Sequence, residues 1–264
     1  MTSDPVRLEV AEGIATLTLD RPENRNSMTP DVLARFREQV RTVADDASVR
    51  AVIVTGSGRS FCAGADFRSS SPADADASKA GLAAERSFAV YEPFLSVFDL
   101  EVPTLAAMNG HAIGGGLGLA LVCDLRIANR EARYGANFAR LGFHSGMAVS
   151  YLLPRIVGVP TAADLLFSGR IVTGAEAEEI GLVNRAVAPE EVLSEARRKA
   201  EAIATAAPLA VRLLKRSLYA GAGWDPRTAA WHEAFAQSAT LATEDAREGI
   251  RALLEKREPR FEGR

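Results

Sequence analysis

Cysteine is scarce: Cys62 and Cys123 are the two in 264 residues. Both lie among apolar neighbours, so they read as reduced core residues and leave no disulfide framework. A basic excess is also missing. Lys and Arg number 31 against 34 Asp and Glu, a formal net charge of −3. A nucleic-acid partner would need the opposite balance, so none is expected. Long apolar runs are lacking as well. The stretch 112–122 is too short to cross a bilayer and is interrupted by glycine, so no membrane partner is expected. The N-terminus shows no charged segment followed by an apolar one, which points to a cytoplasmic protein.

Several chemical signatures are absent too. No stretch fits Gly-x-Gly-x-x-Gly, since Leu119 and Phe61 fall where the last glycine belongs, and no Gly-Lys-Ser/Thr loop is present. Gly142-Phe-His-Ser-Gly146 carries its serine one place late for a nucleophile elbow. His232-Glu233 lacks the second histidine of a zinc helix. Neither a metal site nor a nucleotide-phosphate loop is expected.

What is present is an ordinary globular composition, 47% hydrophobic and 25% charged, in a chain long enough for one large domain or a domain with an appendage. β-Branched runs at 6–10 and 14–19 flank Glu12-Gly13 and predict a hairpin. Thr29-Pro30 starts a helix carrying Val32, Phe36, Val40 and Val43 at helical spacing. Buried-type strands are expected at 51–55, 103–108 and 125–128. Strands alternating with helices predict an α/β core of strand-strand-helix units, without a strict sequence repeat. From residue 190 the pattern turns wholly helical: 190–206, 208–220, 228–241 and 243–257. The chain therefore divides into a core, 1–189, and a helical assembly region, 190–264. Residues 69–80 are polar and low in complexity, as in a mobile loop.

The stretch His111-Ala-Ile-Gly-Gly-Gly-Leu-Gly118 opens an apolar helix with glycines, each costing about 1 kcal/mol against alanine. Amides at a helix N-terminus are unpaired and sit at the positive end of the dipole, and glycine leaves them accessible. Gly114-Gly115-Gly116 thus reads as half of an oxyanion site, or else as a concession to tight packing. A second small-residue turn, Ala63-Gly64-Ala65-Asp66, also follows a buried strand. Two such turns can each aim one amide at a single oxygen, and one donor of this kind is worth about 3 kcal/mol.

Five motifs run in order along nearly the whole chain. They are Arg21-Pro-Glu-Asn-Arg-Asn26, Ser60-Phe-Cys-Ala-Gly-Ala-Asp66 and Asn109-Gly-His-Ala-Ile-Gly-Gly-Gly116 with Cys123-Asp124. Phe167-Ser-Gly-Arg-Ile-Val-Thr-Gly-Ala-Glu-Ala177 with Gly181-Leu-Val-Asn184 follows, then Glu244-Asp-Ala-Arg-Glu-Gly249 with Glu255-Lys-Arg257. In these the sequence resembles the crotonase (enoyl-CoA hydratase/isomerase) superfamily. The resemblance implies a spiral of ββα units and a helical C-terminal region that assembles a homotrimer or a dimer of trimers. It implies an acyl-CoA thioester whose oxygen meets the amides of Ala65 and Gly115, with coenzyme A entering as part of the substrate and no separate cofactor. Arg25, Arg68 and Lys256 match coenzyme A contacts, the lysine in some members reaching a neighbouring subunit; solvated surface charge is the alternative for all three. Ala63, Asp66, Phe67, Tyr91 and Phe138 are expected to line the substrate. Asp66 and Asp124 are expected to brace their turns.

Hydratases of the family carry two glutamates that position and activate water. Here Gly118 and Phe138 stand at those positions. A positioned acid or base contributes about 10²–10⁴-fold, roughly 3–5 kcal/mol, so the loss removes the usual proton-handling groups. His144, whose imidazole can both give and take a proton, is the first substitute, with a pocket-wall role as its alternative. Tyr91 and His111 are further candidates, each open to a structural explanation. The expected function is an acyl-CoA enzyme of fatty acid metabolism that stabilises a thioester enolate, most readily of enoyl-CoA hydratase type, a lyase. A hydrolase, decarboxylase or isomerase using the same pocket, or an acyl-CoA-binding protein of weak activity, are the alternatives.

Overall fold

The computed structural model describes residues 4–66 and 82–264. The expected loop at 69–80, and with it Phe67 and Arg68, lies outside the described residues.

The chain opens with β1 (Val6–Ala11) and β2 (Ile14–Leu19), paired antiparallel from Val6↔Leu19 to Ala11↔Ile14. Glu12 and Gly13 both take positive φ, 56° and 74°, which matches the twist of a two-residue hairpin. Helix α1 (Pro30–Asp45) has proline at its first position and buries Val32, Leu33, Phe36, Val40 and Val43 on one face. Three further turns follow: β3 (Ala51–Gly56), β4 (Ser60–Cys62) and α2 (Ala83–Leu95); then β5 (Thr104–Met108), β6 (His111–Ile113) and α3 (Gly115–Val122); then β7 (Leu125–Asn129) and β8 (Arg133–Gly135). The chain continues through α4 (Val149–Val157), α5 (Val159–Ser168), β9 (Ile171–Thr173), α6 (Gly174–Glu179) and β10 (Arg185–Val187), and ends in α7 (Val192–Ala204), α8 (Pro208–Ala220), α9 (Pro226–Leu241) and α10 (Glu244–Glu255).

Two sheets result, ordered β1-β2-β3-β5-β7-β10 and β4-β6-β8-β9. Each of the three turns gives one strand to each sheet, laid parallel to the corresponding strand of the previous turn. This is the spiral of ββα units. The hairpin departs from the repeat, because both its strands join the larger sheet. The main hydrophobic core joins Phe36 of α1 and Phe94 of α2 to Phe61 and Tyr134 of the smaller sheet. All eight residues of α3 are buried, as its apolar circumference requires. No helix among the described residues is long and apolar enough to cross a membrane.

Packing divides the helical region further. Val192, Ala196 and Ala200 of α7 lie on the outer face of the larger sheet with Ile14, Ile53, Leu105 and Ile127. Helix α7 thus completes the core, although it lies beyond residue 190. Helices α8 and α9 bury no residue fully, and α10 buries Asp245 and Ala252. Their apolar side chains face outward: Leu218, Trp231 and Phe235 are exposed, and Leu253 and Leu254 are 77% and 78% exposed. Patches of this kind mark association surfaces.

Asp124 fastens α8 to the core. Its Oδ2 accepts from the Thr104 amide at 2.7 Å and the Thr104 hydroxyl at 2.9 Å, and pairs with Lys215 Nζ at 2.8 Å. The Tyr219 hydroxyl donates to Oδ1 at 2.5 Å, and burial with this bond raises the phenol's pKa. The expected turn-bracing role is therefore combined with a helix clasp. Asp124→Ala leaves the Lys215 ammonium, whose side chain is 10% exposed, with the Val102 carbonyl as its one remaining partner among the described residues. Breaking such a pair costs about 3 kcal/mol or more. A urea titration should show the midpoint falling accordingly, and an unchanged midpoint would rule the clasp out.

Candidate active site

The site is assembled where the ends of β4 and β6 meet the start of α3. After β4 the chain turns through Ala63-Gly64-Ala65. Met28 donates its amide to the Gly64 carbonyl at 2.8 Å and forms a parallel bridge with Ala65. Such a bridge engages the residues on either side of Ala65, so the Ala65 N–H is left facing away from Met28. Gly64 has φ 81°, and a Cβ there would stand 2.6 Å from the Ile113 carbonyl oxygen and 3.1 Å from the Gly115 nitrogen. The two small-residue turns touch, backbone against backbone.

Gly114 caps α3 at φ 56°, ψ −118°, a conformation closed to ordinary side chains. It ties its own amide to the Gly135 carbonyl at 2.8 Å, and Gly118 donates to Gly114 at 3.0 Å to close the first helical turn. Gly115 is the first helical residue, so its amide has no partner within the helix. Among the described residues, neither the Ala65 nor the Gly115 amide donates to a protein acceptor. The three glycines differ by position. A Cβ on Gly116 would overlap the Cys62 carbonyl, so that glycine serves packing. Gly115, buried with its amide unpaired, is the one that can serve chemistry.

The surrounding loops are fixed by buried amides. Asn26 is fully buried and donates to the carbonyls of Ser57 at 3.0 Å and Ser60 at 2.7 Å, while accepting from the Arg21 amide at 2.9 Å. The Arg25 carbonyl accepts from the Ala63 amide at 3.1 Å, so Arg25, whose side chain is exposed, stands beside the turn. Asp66 is half-buried next to the bridged Ala65.

The far wall is apolar. The Phe138 ring lies 3.6 Å from the Cβ position of Gly114 and meets Phe143 edge to face at 5.8 Å. Tyr91, on α2, is half-buried, its hydroxyl 2.7 Å from the Cβ position of Gly146. Met28 Sδ would overlap a Cβ on Gly115, and Met147 Cγ lies 3.8 Å from the same position. The loop from Phe138 to Met147 is thus pinned at both ends to the mouth of α3.

His144 rides on that loop, exposed, with Nδ1 2.8 Å from the Ser145 carbonyl oxygen. A carbonyl only accepts, so Nδ1 is the donor of this pair, and in that tautomer Nε2 is the acceptor. His111 accepts from the Arg133 amide at 2.9 Å where β6 meets β8 in the small sheet, which gives it a structural task. Lys256 ends α10 in left-handed backbone, φ 55°. No hydrogen bond or ion pair among the described residues joins it to the α3 mouth. Burial pushes the Cys62 thiol up to about 12, which excludes a thiolate nucleophile at neutral pH. Asn26, Met28 and Met147 are site residues that sequence reasoning did not single out. Asn26 lay inside a quoted motif, but the two methionines leave no local signal.

Fold and site together define an α/β protein of two-sheet spiral turns that presents two main-chain amides at a recessed helix mouth. The family model for enoyl-CoA hydratase/isomerase matches residues 9–264. The crotonyl-CoA hydratase of Syntrophomonas wolfei is 38% identical over 263 residues, covering 99% of each chain. The (E)-benzylidenesuccinyl-CoA hydratase of Thauera aromatica is 35% identical over 264 residues, covering 98% of this chain and 99% of its own. The crystal structure of enoyl-CoA hydratase from Bacillus anthracis superposes at TM-score 0.89 with 32% identity, covering 98% of this chain and all of that one. The chain belongs to the enoyl-CoA hydratase/isomerase family.

Proposed function

We propose that this enzyme binds acyl-CoA thioesters and polarises the carbonyl between the amides of Ala65 and Gly115, so that an enolate forms next to it. One observation carries the reading: two unpaired amides on separate turns that are in contact at Gly64 and Gly115. Low-polarity walls of Met28, Met147 and Phe138 strengthen such dipoles by excluding water. Arg25 beside Ala63 meets the coenzyme A moiety. Ala63 and Asp66 line its path, and Tyr91 and Phe138 face the acyl group. Coenzyme A enters as part of the substrate, and no other cofactor is invoked.

The names of the relatives favour addition of water to an enoyl-CoA, with His144 Nε2 taking the proton of the water. Gly118 and Phe138 favour a second reading, in which the same enolate arises without water addition, as in a decarboxylase; an isomerase would need a proton-carrying group that position 138 lacks. The outward apolar faces of α8–α10 support a homotrimer or a dimer of trimers, in which Lys256 reaches the coenzyme A phosphates of a neighbouring subunit.

The test is the loss of conjugated thioester absorbance with crotonyl-CoA and longer enoyl-CoAs. His144→Ala is expected to lower kcat by about 10²–10⁴-fold with KM little changed, the usual weight of an acid–base group. A fall confined to Tyr91→Phe would move the proton-handling role to the phenol. Tight acyl-CoA binding with no turnover of any enoyl chain would leave a binding protein.

A further inference from the structure

We propose that Met147 is the specificity-determining residue of this site. Its side chain occupies the volume beside Gly115 and Gly118 where the water-handling carboxylate of the hydratases would stand, and so it limits what can branch from the carbon next to the thioester. The proposal rests on the acyl-CoA reading above and adds the residue that sets its selectivity.

Position 118 is filled as well as non-ionisable. A Cβ on Gly118 would overlap Met147 Cβ, with Met147 Cγ at 3.1 Å and Val149 Cγ2 at 3.5 Å. A Cβ is fixed by its backbone, so no rotamer change at Met147 would make room. The same side chain reaches Gly115, in ordinary van der Waals contact at 3.8 Å from its Cβ position. Met147 is 1% exposed.

The backbone is held in an unfavourable state to put it there. Met147 and Ala148 take φ 57° and 53°, two consecutive non-glycine residues in the left-handed region. The surroundings impose this. Tyr91 presses on Gly146, leaving no room for a Cβ, and the Val149 amide donates back to the Gly146 carbonyl at 3.1 Å. Ala148 then accepts from the amides of Tyr151 and Leu152, both at 2.9 Å, as it caps α4. A thioether side chain adapts its shape to the gap it fills, which suits a wall that must close over a substrate. Met28 also approaches Gly115, so on this proposal the carbon next to a bound thioester meets sulfur and methylene groups.

The experiment compares crotonyl-CoA with 2-methylcrotonyl-CoA by calorimetric Kd, which needs no turnover. Wild type is expected to favour the unbranched thioester. Met147→Ala is expected to shift the Kd ratio towards the branched one by about tenfold, the low end of what one methyl group is worth in an apolar pocket. A second measurement tests the placement itself. Gly118→Ala should lower the melting temperature in the wild-type background and much less in Met147→Gly, which lacks the opposing Cβ. An unchanged Kd ratio in Met147→Ala, or equal penalties for Gly118→Ala in both backgrounds, would overturn the proposal. If wild type binds neither thioester, the acyl-CoA reading fails and the selectivity role fails with it.

Discussion

Gly116→Ala is expected to unfold the protein or to lower its stability by more than about 4 kcal/mol, the range reserved for severe core damage. Helix propensity alone predicts the opposite sign, a gain of about 1 kcal/mol for alanine over glycine inside a helix. The overlap decides. A methyl on Gly116 would coincide with the Cys62 carbonyl oxygen and approach Cys62 Cβ to 2.9 Å, and both belong to a fully buried strand with no flexible end to give way. Either β4 or α3 must move, and both carry the site. Gly142→Ala is the control: nothing lies within 4 Å of its Cβ position, but its φ is 83°. It should cost only the left-handed strain, about 1–2 kcal/mol. Urea midpoints of the two variants separate crowding from conformational strain, and a stabilised Gly116→Ala would refute the close approach of β4 and α3.

Gly115→Pro is expected to reduce kcat by at least about 10²–10³-fold, the weight of one oxyanion donor. Proline removes the amide hydrogen, and its ring carbon takes the place where the thioester oxygen would sit. The substitution suits the helix, because Gly115 is its first residue and proline is favoured there. Its ring would displace Met28 Sδ, a rotatable end, so the circular dichroism spectrum should stay helical. Activity retained within a few-fold in a folded Gly115→Pro would show that this amide is not the donor. Together the two variants assign neighbouring glycines to different work: Gly116 to packing and Gly115 to chemistry.

The larger sheet was legible because β3 and β5 are mostly apolar runs buried along their whole length. The smaller sheet was not. Strands β4, β6, β8 and β9 have three residues each, too few to show a period of two. The amphipathic patterns after residue 190 marked helices, but a helix covering a sheet and one awaiting a partner look alike in one dimension. Only contact with Ile14, Ile53 and Leu105 set α7 apart from α8–α10. At the site, the two glycine turns were legible as backbone-exposing chemistry. The exposure of His144 and the structural tie of His111 to Arg133 needed coordinates.

The amino-acid order by itself determined the local facts: which turns lack side chains, which strands must be buried, and that positions 118 and 138 hold no proton. Those follow from the bonding and volume of each residue with its immediate neighbours. The tertiary structure decided that Gly64 meets Gly115, that Met28 and Met147 both approach Gly115, and that Met147 fills the space beside Gly118. Such meetings depend on the registers of two sheets and on a loop held in left-handed backbone. They join residues whose separation along the chain no local propensity can span.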